Sequence, residues 1–421
     1  MLLNTSPQLV EAVKDLARGG YEPGAGERRE TWESTRRWRQ LHKLGTRLWL
    51  DTGDINGAAQ RWTSEFEALT TNNTLLNREV QKGIYDDLIG QILESSGAIR
   101  DLDERQRIIE VALILNARHG LRLVERFGAL VSVELHTDLS DDLEATVWYA
   151  RRLFEIQPER FIVKIPLTPA GYLAARQLSS SGVRVNFTLG FSARQNYLAA
   201  LVAEPHFVNV FLGRLNSFVA DNGLGDGENV GEKTLTASQD AVSELRREHA
   251  VRTQQIAASM REGHQVNALA GVDVMTLPLS VADGFLSADL GAEGLVPYAQ
   301  QTYPVSPMEK ATAEVISNLW TVTPTFKKMA LALTEEPLEE YEADDLRAFC
   351  AARGTEGLFP LWSDKDVAAI IQDGKIPVYD RWAERLQNGT VNLDALMSQS
   401  GLKSFASDQD ALDSRIKAHL R

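Results

Sequence analysis

The stretch FIVKIPLTPAGYLAARQLSSSGVRVNFTLG, from Phe161 to Gly190, has the pattern of a strand, a helix and a second strand. Phe161 to Ile165 is a short apolar run, typical of a strand that is covered on both faces of a parallel sheet. Thr168 is suited to cap the following helix and Pro169 to occupy its first position. Val183 to Leu189 is the second predicted strand. The stretch therefore favours an α/β fold with parallel strands.

Three polar side chains interrupt these two apolar strands. Lys164 lies in the first strand, and Asn186 and Thr188 lie two apart, hence on one face, in the second. Burying an unpaired ammonium in apolar surroundings costs free energy, so the presence of Lys164 within this strand requires an explanation. It is either a strand-end lysine that extends its head to solvent or a carboxylate, or a desolvated amine, neutral often enough to attack a carbonyl. The strand alone leaves both interpretations open.

Composition places the chain among ordinary globular enzymes. It has 421 residues, of which 43% are hydrophobic and 24% charged, with a net charge of −14. The negative charge argues against nucleic acid or an anionic membrane as the main partner. The single cysteine excludes an intrachain disulfide, and the seven histidines show no metal-ligand spacing. Without a predicted membrane span or signal peptide, we expect a cytoplasmic protein.

Eight strand-like segments alternate with helical ones along the chain. This order, with no internal repeat and no GxGxxG after the first strand, predicts a (β/α)8 TIM barrel, with a doubly wound open sheet as the alternative. The predicted strands are Thr46–Asp51, Ala68–Thr70, Ala129–Glu134, Phe161–Ile165, Val183–Leu189, His206–Leu212, Arg252–Ala257 and Gly271–Leu277.

The regions outside the strands complete the expected organisation. We predict a helical N-terminal extension over residues 1–45, a catalytic barrel over 46–290 and a helical C-terminal extension over 291–421, packed on the barrel. Within the barrel we expect helices over 78–95 and 102–127, and one over 139–155 capped by Ser140 or Asp141. Residues 221–232 form a predicted acidic surface loop before a helix from about Thr236 to His249.

Polar residues recur where the predicted strands end. Barrel enzymes place their chemistry at the C-terminal face, so these side chains are expected to form one site. They are Asp51, Asn72, Glu134, Lys164, Asn186, Thr188, Asn209, Arg214, Ser259 and Arg261.

At these residues the chain resembles the transaldolases. The similarity follows the strand ends in order through LWLDTGD, ALTTNN, VSVE, FIVKIPLT, VNFTL, VNVFLGR, AASMR and ALAGVDVMTL. GLKSFASDQDALDSRI, near the C-terminus, is similar to the family's closing helix. Asn73 and Asn209 differ from the family, which usually has proline and serine there, and the segment after the eighth strand is unusually long.

The resemblance implies a reaction through a covalent intermediate. Lys164 would form a Schiff base with a dihydroxyacetone unit, and Asp51 would deprotonate the C4 hydroxyl of the donor ketose. Glu134 and Thr188 would hold a proton-shuttling water. Such retro-aldol chemistry requires one amine, one base and one proton shuttle, and we expect neither a cofactor nor a metal.

The remaining site residues would bind substrate on the same resemblance. Asn72, Asn186 and Asn209 lie at the positions that contact the three-carbon unit. Phe211 stands where fructose-6-phosphate aldolases carry tyrosine, which favours transfer over free aldol cleavage. The substrate phosphate would be bound by Arg214, Ser259 and Arg261, which supply guanidinium forks and a hydroxyl.

The predicted activity is transfer of dihydroxyacetone from sedoheptulose 7-phosphate or fructose 6-phosphate to an aldose phosphate, as in the pentose phosphate pathway. Two alternatives stay open: an enzyme of this kind for a different or modified sugar, and a non-catalytic barrel that binds sugar phosphates. The expected partners are sugar phosphates, with neither nucleic acid nor a membrane. The sequence leaves the oligomeric state open and is compatible with a homo-oligomer.

Overall fold

A computed structural model describes residues 6–21, 32–95, 97–289 and 294–419. Its centre is a closed barrel of parallel strands in which each strand pairs with its neighbours in sequence and β1 pairs with β8. This confirms the predicted (β/α)8 TIM barrel and excludes the open sheet. The strands are β1 Arg47–Asp51, β2 Phe66–Thr70, β3 Leu130–Glu134, β4 Phe161–Pro166, β5 Val185–Thr188, β6 Phe207–Phe211, β7 Gln254–Ala258 and β8 Val274–Leu277.

Helices surround the barrel and form both extensions. Those up to β8 are α1 Pro7–Arg18, α2 Arg36–Lys43, α3 Ile55–Ala59, α4 Asn73–Gln81, α5 Asp86–Ser95, α6 Gly97–Arg100, α7 Glu104–Phe127, α8 Leu143–Ile156, α9 Pro169–Ser180, α10 Ala193–Val202, α11 Leu212–Asp221, α12 Val230–Glu248 and α13 Gly263–Ala268. After β8 come α14 Leu279–Ser287, α15 Lys310–Ser317, α16 Pro324–Thr334, α17 Ala343–Ala351, α18 Asp364–Asp373, α19 Tyr379–Gln387 and α20 Leu393–His419. In the described part of the chain, no helix has both the length and the apolar composition needed to cross a bilayer.

The strand–helix–strand unit of β4, α9 and β5 forms as its sequence predicts. Thr168 caps α9 by accepting a hydrogen bond from the Gly171 N–H at 2.9 Å, and Pro169 is the first helical residue. In the barrel register, Glu134 lies opposite Lys164, which in turn lies opposite Asn186. Three predicted site residues therefore share one level of the barrel.

Several predicted boundaries are wrong. Asp142 caps α8, because Thr137–Leu139 forms a separate 3-10 turn before it. The predicted helix over 78–95 is divided into α4 and α5 by a turn at residues 82–85. The acidic loop ends earlier than expected, because α12 begins at Val230. Glu232 is buried within α12, where its carboxylate accepts hydrogen bonds from Asn216 and Gln265.

The extensions pack against the barrel at both ends of the chain. Trp38 of α2 is fully buried, with its ring 5.3 Å from that of Phe66 and 4.9 Å from that of Phe285. Predicted helical residues 1–5 and 22–31 lie outside the described residues, as do 290–293 and 420–421. The division of the chain at residues 45 and 290 stays a prediction.

Candidate active site

A cavity of about 370 Å³ lies at the C-terminal ends of the strands. Its lining includes nearly all of the residues predicted from the strand ends, although the first and last of them are 210 positions apart in the chain. They are Asp51, Asn72, Lys164, Asn186, Asn209, Phe211, Arg214, Ser259 and Arg261. Glu134 and Thr188 are both buried and do not line the cavity.

Lys164 is a buried lysine whose amine faces this cavity. Only 4% of the residue is exposed, and its Nζ donates a hydrogen bond to the Thr71 carbonyl at 3.2 Å. Glu134 Oε2 lies 3.5 Å from the same Nζ and has no hydrogen-bond partner among the described residues. Burial raises the pKa of Glu134, and the positive charge of Lys164 partly offsets this effect. The pair therefore joins an amine to a carboxyl group that is easily protonated.

Asp51 ends β1 on the cavity wall. The Thr70 hydroxyl donates to Asp51 Oδ1 at 2.7 Å and also lies 2.7 Å from the Thr276 hydroxyl, so it fixes the orientation of the carboxylate. Burial raises the pKa of Asp51, although Lys164, the Thr70 hydrogen bond and Arg261 act in the opposite direction. A raised pKa makes the carboxylate a stronger base.

The amides differ in how much hydrogen-bonding capacity they have left. Asn72 caps α4 by accepting from the Leu75 N–H at 2.8 Å, which leaves its N–H groups for a ligand. Asn186 donates to the Ser132 hydroxyl at 3.0 Å, and its carbonyl oxygen has no partner among the described residues.

Asn209 and Thr188 have different surroundings. The Asn209 side chain accepts from the Gly190 N–H at 3.2 Å and donates to the Phe187 carbonyl. It therefore holds the backbone just after β5 and retains one N–H. The Thr188 hydroxyl is fully buried and, like Glu134 Oε2, has no partner among the described residues. Bound water is the usual partner of buried polar groups that lack one in the protein.

The cavity lining also includes arginine side chains. Arg214 is only 8% exposed, and its Nη1 has no hydrogen-bond partner in the described chain. Its guanidinium carbon lies 5.4 Å from the ring centre of Phe211. Burial and the neighbouring Arg261 lower the pKa of Arg214 to about 10. Ser259, between the two arginines in sequence, has a φ of 61°, a strained backbone conformation that is typical of functional sites.

Further lining residues were not predicted. Arg78 of α4, Lys375 before α19, and Ser404, Phe405 and Asp408 of α20 also line the cavity. For Ser404, Phe405 and Asp408, the only indication in the sequence was the similarity of α20 to the family's closing helix. Lys375 had none, because nothing in its local sequence distinguishes it from a solvated lysine. Within the described ranges, no group of His, Cys, Asp or Glu side chains is arranged to hold a metal ion.

Comparison with known proteins agrees with this geometry. The profile of the transaldolase/fructose-6-phosphate aldolase family matches residues 48–351. A transaldolase of Xanthomonas campestris pv. campestris (strain B100) is 31% identical over 247 residues, which are 57% of this chain and 75% of the relative. A transaldolase of Protochlamydia amoebophila is 28% identical over 245 residues, 56% of this chain and 73% of the relative. The chain belongs to the transaldolase/fructose-6-phosphate aldolase family, so the prediction of an enzyme of this kind is confirmed.

Proposed function

We propose that this protein is a transaldolase that transfers a dihydroxyacetone unit from a ketose phosphate to an aldose phosphate through a Schiff base on Lys164. The observation that carries the proposal is the position of this buried amine. It lies in β4, beside Glu134, and it lines the same cavity as Asp51 and three arginines.

The amine would attack C2 of the ketose. Glu134, whose raised pKa suits proton exchange, would act with Thr188 through a water during formation and dehydration of the carbinolamine. Asp51 would then accept the proton of the C4 hydroxyl. As the C3–C4 bond breaks, its electron pair enters the iminium and leaves an enamine. The acceptor aldehyde would react by the reverse steps.

The cations of the cavity support a phosphorylated substrate. Arg78, Arg214, Arg261 and Lys375 all line the cavity, and none forms a salt bridge with a described residue. In a protein of net charge −14, such a concentration of unpaired cations favours an anionic ligand. Asn72, Asn186 and Asn209 would bind the hydroxyls of the transferred unit. The same cations suit other anionic groups, so a modified sugar stays the alternative substrate.

The experiment is borohydride reduction in the presence of fructose 6-phosphate, followed by mass spectrometry of the labelled peptides. We expect a reduced three-carbon adduct on Lys164. Lys164→Met should abolish labelling, whereas Lys375→Met, which removes the other lysine of the cavity lining, should leave the label on Lys164. An adduct on Lys375 with Lys164 unmodified would refute the assignment. The cytoplasmic location and a homo-oligomeric state stay predictions.

A further inference from the structure

Helix α20 crosses the C-terminal face of the barrel beside the strand that carries Lys164. Near its start, Asp394 accepts hydrogen bonds from the Ser192 hydroxyl at 2.6 Å and from Arg194 at 2.8 Å, both just after β5. Further along, Asp413 contacts His136, just after β3, at 3.2 Å. Because β4 lies between β3 and β5, these bonds fix α20 on both sides of the Lys164 strand.

The middle of α20 approaches the cavity closely. A Cβ atom at Gly401 would lie 2.6 Å from Leu189 Cδ2 and 2.9 Å from Arg214 Nη1. Glycine at this position therefore lets the helix pack directly on the barrel. Two turns further on, Thr74 of α4 donates a hydrogen bond to Asp408, which sets the rotation of the helix about its axis.

This packing directs the Phe405 side chain into the cavity. Its ring centre lies 5.8 Å from Lys164 Nζ and 5.3 Å from the guanidinium carbon of Arg214. It also lies 6.5 Å from the ring centre of Phe211, at an interplanar angle of 61°. Phe405 is 5% exposed. One apolar ring thus adjoins both the proposed nucleophile and the buried anion-binding arginine.

We infer that Phe405 determines the fate of the covalent intermediate. The inference rests on the proposed function and extends it to a residue outside the strand ends. Together with Phe211, the ring shields the enamine carbon from water until an acceptor aldehyde binds in the cavity. Closing off bulk water in this way prevents side reactions of a reactive intermediate. Phe405 is a positioning residue, since it makes and breaks no bond.

The two competing outcomes can be written in full. In transfer, the enamine carbon forms a bond to the aldehyde carbon, the aldehyde oxygen takes a proton, and water releases the new ketose from Lys164. In hydrolysis, the enamine carbon takes a proton to give an iminium. Water then adds to the iminium, and free dihydroxyacetone and the lysine amine are released. Each route consumes one water when the product leaves Lys164, so the two differ only in whether the enamine carbon bonds to an aldehyde carbon or to a proton.

The experiment replaces Phe405 with progressively smaller apolar residues in the full chain. Phe405→Leu, Phe405→Val and Phe405→Ala are compared by the ratio of free dihydroxyacetone to transfer product at a fixed acceptor concentration. We expect the ratio to rise in that order, several-fold in Phe405→Ala. Phe326→Ala, which truncates a phenylalanine of similar burial (6%) on α16 and away from the cavity, is the matched control and should keep the wild-type ratio.

The ratio separates this role from a purely structural one, because general destabilisation lowers both products together. If Phe405→Ala does not fold, the ratios measured for Phe405→Leu and Phe405→Val test the inference instead. A ratio that does not rise as the side chain shrinks would overturn the inference. Borohydride trapping on each variant separates the two proposals. Trapping at Lys164 with an unchanged ratio refutes only the role of Phe405, and absence of trapping in the wild type refutes the proposed function.

Discussion

Arg214→Gln should weaken the use of phosphorylated aldehydes without weakening that of unphosphorylated ones. The guanidinium is buried, keeps its charge at neutral pH with a pKa of about 10, and lines the cavity with an Nη1 that has no hydrogen-bond partner among the described residues. A hydrogen bond to a charged group contributes about 1.5–3 kcal/mol. At 1.36 kcal/mol for each factor of ten, its loss corresponds to a decrease of roughly ten- to 150-fold.

The stability of the fold should change little. Breaking a buried ion pair is destabilising because it leaves a charge without its partner. Arg214 forms no salt bridge with a described residue, so its replacement by glutamine leaves no carboxylate without a partner. The cation–π contacts with Phe211 and Phe405 are lost, at about 0.5–2 kcal/mol, while a desolvated charge is removed. We therefore expect a midpoint of thermal unfolding close to that of the wild type.

The assay measures kcat/KM for the acceptor with glyceraldehyde 3-phosphate and with glyceraldehyde. Because the proposed covalent mechanism is ping-pong, this parameter reports the second half-reaction and not donor binding. Arg252→Gln is the matched control. Arg252 precedes β7 whereas Arg261 follows it, so the control removes an exposed arginine at the opposite end of the barrel. Equal losses with both aldehydes, or no loss with the phosphorylated one, would refute a phosphate-binding role.

Three further predictions concern the reacting groups. Asp51→Asn should still form the Schiff base but transfer roughly 10²- to 10⁴-fold more slowly, as expected for loss of a general base. If the variant is trapped by borohydride and also transfers at the wild-type rate, the general base is a different residue. Phe211→Tyr places a phenol beside the intermediate and should raise the release of dihydroxyacetone from fructose 6-phosphate alone, which a coupled assay measures with and without acceptor. If the unmutated enzyme already releases dihydroxyacetone as fast as it transfers it, the aldolase alternative holds. Burial raises the pKa of Asp51 and of Glu134 above the ordinary values of 3.8 and 4.5, so both groups take up protons at higher pH than usual. Activity should therefore be lost as pH falls through the raised pKa of Asp51, which lies above its ordinary value of 3.8, and a pH–rate profile with its acid limb at or below that value would contradict this expectation.

The strand ends were predictable because they are local. Alternation along a strand determines which side chains share a face, and a parallel barrel brings the carboxyl ends of all its strands together. Lys164, Asp51 and Asn186 could therefore be assigned to one site from their positions in short apolar runs. The cap of α8 and the start of α12 were not predicted correctly. Competing polar residues at Ser140, Asp141 and Asp142 offer several caps, and a buried glutamate in α12 is identified only by its tertiary partners.

The C-terminal helix shows what the sequence leaves undecided. Its helical pattern predicts that α20 forms, but not the direction in which it crosses the barrel. Hydrogen bonds between residues far apart in the chain decide that direction: Ser192 with Asp394, 202 positions apart, and Thr74 with Asp408, 334 apart. The sequence by itself therefore determined the barrel and the residues at its strand ends. Only the tertiary structure placed Phe405 beside Lys164, because local periodicity carries no information about which distant surface a helix face will meet.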